Sequence, residues 1–120
     1  MKFLFILSLL LTILSPALPQ QPDQREMDAL RQWRAAEVVS QRSVELFGEE
    51  KIWLAEPISE QVFARMKGLS YKEGCRLPLD SLRYLKLLHR DAEGRICLGE
   101  MVCHRAVSES LIAIFKELYE

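Results

Sequence analysis

The sequence predicts an α+β domain made of N-terminal helices, one antiparallel β-hairpin and a C-terminal amphipathic helix. Three observations predict it. Apolar residues recur at helical spacing through residues 26–47 and, more strongly, through 107–118. Two runs rich in Leu, Ile, Val and Tyr, at 82–89 and 96–103, flank a four-residue turn. No internal repeat links these segments, so they read as the parts of one small unit.

The elements follow in order. Lys2 precedes an apolar run over residues 3–14, broken by Ser8 and Thr12, and Ser15-Pro16-Ala17 then places small residues where a signal peptidase reads. This is a secretory signal at 1–17, cleaved after Ala17. The run is shorter than the about 20 apolar residues that a membrane span needs, which argues against an uncleaved anchor. With no cysteine just after the cut, a lipid anchor has no support, and the protein is expected to be exported to the periplasm or beyond.

Residues 18–57 read as an N-terminal extension. Pro16, Pro19 and Pro22 predict a disordered start, and Asp23 then suits a helix N-cap. The helix is expected over 26–47, with Met27, Leu30, Trp33, Val38, Val44 and Leu46 on its stripe and Gly48 as its stop. That stripe is narrow and arginines are many, so the helix is expected to cover a surface and not to enter the core, with Trp33 a packing contact.

Residues 58–120 carry the clearer signals. Ser59 caps a short helix with Val62, Phe63 and Met66 on its buried face and Gly68 at its close. Residues 70–78 form a loop that contains Cys75. Residues 82–89 read as a strand, with a helix begun at Asp80 as the alternative. Asp91-Ala92-Glu93-Gly94 is a turn whose glycine tolerates positive φ. After the returning strand at 96–103, Val107, Leu111, Ile114, Phe115 and Leu118 fall at i, i+4, i+7, i+8 and i+11 of an amphipathic helix. So strong an apolar face expects further protein to pack on it, and the domain is read as incomplete.

Composition excludes several functions. Lys and Arg number 16 against 17 Asp and Glu, without a basic stripe, so no nucleic-acid partner is expected. Three cysteines are an odd number for an oxidising compartment. Cys97 and Cys103, six residues apart in one strand, would lie roughly 20 Å apart and beyond disulfide reach. Cys75 remains able to pair with either if the fold brings them together.

No catalytic, cofactor-binding or metal-binding residue is assigned. The two histidines, His89 and His104, fall at opposite ends of the hairpin, whereas a catalytic zinc needs three converging protein ligands. Cys103 and His104 are neighbours in a strand and point to opposite faces, so they do not make a nucleophile–base pair. Glu49 and Glu50 read as solvated loop charge. No Walker or G-x-G-x-x-G pattern occurs.

The run Val62-Phe63-Ala64-Arg65-Met66-Lys67-Gly68-Leu69-Ser70-Tyr71 leads to Cys75, Pro78 and Leu82-Arg83-Tyr84-Leu85. After the Gly94 turn come Gly99-Glu100-Met101-Val102 and Ile114-Phe115-Lys116-Glu117-Leu118-Tyr119-Glu120. In this order the segment resembles the N-terminal lead-in of secreted bacterial zinc D-alanyl-D-alanine carboxypeptidases of the VanY-like family, and the likeness covers the last half of the chain. The resemblance implies a metallopeptidase ancestry directed at peptidoglycan, with cell-wall peptide as partner and zinc as the family's cofactor. The family's S-x-H-x-x-G-x-A-x-D segment, its later His and its catalytic Glu are absent from these residues, so no zinc or catalytic residue is carried over. In that family a cysteine often stands at the place of Cys75 and another beyond the present C-terminus, which would account for an unpaired Cys75 here. The resemblance also implies that the hairpin and final helix brace a catalytic sheet. The expectation is a truncated, inactive member of that family; the alternative is a small exported binding or regulatory protein in which residues 26–47 pack over the hairpin.

Overall fold

The computed structural model describes residues 23–120, and the expected signal segment and proline-rich start lie outside them. Helix α1, Gln24–Gln32, begins where Asp23 accepts a hydrogen bond from the Arg25 N–H at 2.9 Å. It does not continue to residue 47. Trp33 ends it with a left-handed φ of 52°, and its indole N–H donates to the Gly99 carbonyl at 2.9 Å. That bond, together with burial of the ring, holds a conformation that a bulky residue otherwise avoids.

The chain then extends. Val38–Val39 form a short strand, β1, as β-branched residues favour. Ser40 restarts the helix as α2, Gln41–Phe47, with its hydroxyl accepting from the Ser43 N–H. Glu26 ties the two helices together: its carboxylate accepts from the Ser40 N–H, the Ser40 hydroxyl and, at 2.5 Å, the Ser43 hydroxyl. Burial opposes ionisation of Glu26, but these hydrogen bonds outweigh it and hold the carboxyl below its ordinary range. The single helix expected over 26–47 is thus two helices around a strand.

Nor is this region a surface layer. Ala29, Leu30, Trp33, Val39, Val44 and Ile52 are buried together with Tyr84, Leu88, Ile96 and Leu98 in one cluster. The sequence stripe looked narrow because the turn at Trp33–Glu37 redirects the chain, so residues from two helices and a strand converge on one core. Described residues of the 18–57 extension and of the 58–120 segment thus contribute to one core.

A strand not anticipated from sequence, β2 at Leu54–Pro57, lies at a sheet edge, the position that tolerates its terminal proline. Helix α3, Glu60–Met66, starts at Ser59, whose hydroxyl accepts from the Val62 N–H. Strands β3, Leu82–Arg90, and β4, Ile96–His104, form the expected hairpin, and the helical alternative for residues 82–88 is not taken. Asp91 organises the turn by accepting from the Glu93 and Arg95 N–H groups, and Gly94 adopts φ 81°. The sheet is antiparallel throughout, in the order β1-β4-β3-β2. The fold is α+β.

Helix α4, Arg105–Tyr119, follows β4 directly and lies chiefly over β3. Residues facing each other across β3 and β4 share a face. Tyr84, Leu88 and Leu98 therefore point to the α1 side, while Leu85, Leu87 and Cys97 point to α4. The helix turns Ser108, Leu111, Ile112, Phe115 and Tyr119 inward, and Tyr119 meets Trp53 at 5.6 Å between ring centroids. Val107, Ile114 and Leu118, on the stripe read from sequence, remain exposed. The helical period located the helix, but two apolar stripes overlap on it and the sheet takes the other one.

Leu30→Ala is expected to destabilise the protein by about 2–5 kcal/mol, as fully buried leucines do, whereas Leu46→Ala, at a side chain 54% exposed, should change stability by about 0.5 kcal/mol or less. Denaturant melts of the two variants check this, and equal small effects would return α1 to the surface.

Candidate functional site

The densest polar constellation joins three elements. Arg65 of α3 donates from both terminal nitrogens to Glu100 of β4, at 2.9 and 2.7 Å. Tyr84 of β3 donates its hydroxyl to the same carboxylate at 2.5 Å. Even-numbered positions of β3 and β4 point to one face, so Tyr84 and Glu100 lie on the same side of the hairpin, and α3 crosses that side with Arg65 in reach. The fork of the guanidinium matches the carboxylate in geometry as well as charge.

Electrostatics follow from these contacts. The Arg65 guanidinium holds the Glu100 carboxyl below its ordinary value, against a burial penalty, and the Tyr84 hydroxyl adds to the effect. Burial, then the neighbouring carboxylate, pushes the Tyr84 hydroxyl well above its usual range. Glu100 is occupied by three donors and Tyr84 keeps its proton. Neither is a free base or nucleophile, so the trio acts as a clamp that fastens α3 to the hairpin.

Beside the clamp an open groove of about 620 Å³ runs between the end of α1, β2 and α3, with Tyr84 and Lys86 lining it. Its charges are largely matched: Lys86 lies 3.2 Å from Glu56 and 5.8 Å from the Trp33 ring, and Arg31 is 3.1 Å from Asp28. The groove therefore presents mixed polarity to a ligand, without an activated group.

The residues weighed as chemistry from sequence do not converge. His89 pairs across the hairpin with Cys97, and its ring packs over Gly99, where an added Cβ would come within 3.0 Å of it. His104 pairs with Leu82, seven positions along the ladder, so the histidines are about 23 Å apart along the strands and on opposite faces. His104 instead caps α4, its Nδ1 accepting from the Ala106 N–H at 3.0 Å. Cys75 is exposed in its loop, Cys97 is buried and Cys103 is half-buried; none is bridged. Burial pushes the Cys103 thiol up, the opposite of activation. Glu49 and Glu50 sit in a single exposed 3₁₀ turn.

Among the described residues no group of three or more His, Cys, Asp or Glu side chains is placed to hold a metal ion. Among the described residues His89 and His104 stand seven ladder positions apart, so they do not offer the converging ligands that the zinc implied by the family resemblance would need. Among the described residues no helix is long and apolar enough to cross a membrane. Compared with protein-family models, curated proteins and solved structures, the chain matches none.

The clamp was not legible as a site. Arg65, Tyr84 and Glu100 are 16 to 35 residues apart, and the strand residues are only diagonal neighbours, since Tyr84 pairs with Val102 and Glu100 with Lys86. With the Arg65 and Glu100 side chains 58% and 29% exposed, their coupling is expected at about 1 kcal/mol in a double-mutant cycle of Arg65→Ala and Glu100→Gln. The folded Glu100 carboxyl lies below its ordinary 4.5, so its contribution is present above that value and is lost as pH falls through the lower folded one. The Tm difference between wild type and Glu100→Gln should stay level at neutral pH and shrink in acid; a difference that grows on acidification would contradict the assignment.

Proposed function

We propose that residues 58–120 are the lead-in of an exported, peptidoglycan-directed zinc D-alanyl-D-alanine carboxypeptidase-like domain, serving here as a brace without hydrolytic activity of its own. One observation supports this reading above others. The three clamp residues come from three separate segments that carry the family resemblance: Arg65 from the Val62–Tyr71 run, Tyr84 from Leu82–Leu85 and Glu100 from Gly99–Val102. Segments weak as individual motifs thus meet in one contact, as parts of a shared architecture would. The role follows physically: a clamped hairpin backed by a helix is a rigid wall against which a peptide groove can be formed.

Two measurements test this. The purified chain is expected to release no D-alanine from a peptide ending in D-alanyl-D-alanine, with or without added zinc. Genomic DNA read beyond codon 120 in all three frames is expected to encode S-x-H-x-x-G-x-A-x-D. Zinc-dependent release by this chain alone would show an active site among its own residues, and a downstream sequence without the motif would remove the peptidase reading.

A second reading, an exported binding or regulatory protein that folds by itself, is favoured by the shared core. Leu30, Val44 and Ile52 are fully shielded against hairpin residues, and no buried side-chain polar atom among the described residues lacks a partner. Under this reading the purified protein melts in one cooperative transition, and deleting residues 24–57 abolishes it. A cooperative melt for 58–120 alone would count against it.

A further inference from the structure

Among the described residues, the outer edge of β4 is paired for less than half its length. Strand β1 covers Ile96 and Cys97, and the preceding turn adds two bonds at Leu98: its N–H to the Glu37 carbonyl and its carbonyl from the Ala36 N–H. These bonds fix which groups point outward. Leu98 bonds away from β3, while Asp91 and Arg95 bond across the hairpin, so even-numbered residues of β4 aim their backbone groups at the open edge. Glu100 and Val102 follow this pattern, and no backbone group among the described residues meets them there.

Helix α4 adds a second, independent observation. Tyr119 leans toward Trp53 beside β2, whereas Phe115 lines a cavity of about 250 Å³ with Ala36, Gly99 and Met101 on the β4 side. Stepping 100° per residue further round in the Phe115 direction brings Val107, Ile114 and Leu118, exposed by 47, 52 and 75%. The uncovered apolar flank of the helix therefore overhangs the same side on which β4 is unpaired. On the opposite face, an open groove of about 500 Å³ runs beside Val102, lined by Val62, Met66 and Ser70.

We propose that the β4 edge from Glu100 to His104 is a docking slot for an extended peptide, which joins the sheet as an added strand and places alternate apolar side chains beneath Val107 and Ile114 of α4. Backbone groups of Glu100 and Val102 supply the hydrogen bonds, and the overhanging flank selects for apolar residues at every second position. A second copy of this chain fits less well. Edge-to-edge pairing would set the two β3 strands three spacings apart, about 14 Å, and the helices above them beyond the about 8–10 Å at which helices pack. Both apolar flanks would stay wet. The slot is defined by backbone direction and holds whether or not the peptidase reading does.

The probe is a synthetic acetyl-Ser-Val-Thr-Val-Thr-Val-Ser-amide, titrated to millimolar concentration into the purified protein while amide exchange is followed by NMR. Glu100 and Val102 N–H groups are expected to exchange fast in the free protein and at least tenfold more slowly with peptide. The same peptide N-methylated at alternate residues on its pairing edge should give no slowing. Val102→Pro removes an outward N–H without touching the hairpin bonds and should abolish binding with cooperative melting retained. Should that variant not fold, Ile114→Glu is expected to weaken peptide binding about tenfold, a readout that the methylated peptide complements. Three results would each overturn the proposal: no slowing with peptide, edge amides already protected in the dilute free protein, or protection that rises with protein concentration alongside a doubling of mass, which would mark a second copy as the occupant.

Discussion

The β3–β4 hairpin is apolar on both faces, and that condition shapes everything around it. Leu85 and Leu87 look one way while Tyr84, Leu88 and Leu98 look the other, and all five are buried. A hairpin of this kind is not stable as a single layer in water, because each exposed leucine forgoes roughly 1.5–3 kcal/mol of burial. It has to be covered twice. Helix α4 covers one face because it follows β4 without a linker; α1, α2 and the chain near Ile52 cover the other.

Cover on the second face comes from distant sequence, which explains why the joints there are polar. Glu26 holds α1 to α2 through Ser40 and Ser43, the Trp33 indole anchors the end of α1 to Gly99, and the Arg65–Glu100–Tyr84 clamp fastens α3. Each replaces water around a group that would otherwise be stranded at the rim of the core. None leaves a base or thiol poised for chemistry. The same side chains that look reactive in a list of residues are engaged in holding layers together.

Cover is incomplete along one line. Among the described residues the sheet stops at β4 over residues 100–104 and Val107, Ile114 and Leu118 of α4 stay exposed, so strand edge and helix flank are left open together. Natural edges are normally blunted by charge, proline or a covering loop. On β2 the terminal Pro57 serves in this way; on the β4 edge the Glu100 carboxylate is taken up by Arg65 and Tyr84, and Val102 carries neither charge nor ring. A brace within a larger assembly and a receiver for a strand both have a use for such an edge.

Local chemistry was legible in the sequence wherever a single residue dictates it. Asp23 and Ser59 cap their helices, Asp91 and Gly94 make the turn, and the Leu82 and Ile96 runs pair as strands because a few bonded neighbours decide each case. The sequence alone also placed His89 and His104 at opposite ends of the hairpin, and Cys103 and His104 on opposite faces, since hairpin direction and alternation are properties of the backbone. What tertiary structure decided was partnership. The helix over 26–47 broke because Trp33 gains a long-range bond and a buried ring, a short strand with a terminal proline was accepted because it lies at an edge, and α4 buried Ser108 and half-buried Ile112 and Tyr119 because the sheet approached from their side. Periodicity states that a helix has an apolar stripe; which of two overlapping stripes is buried depends on where the rest of the chain stands.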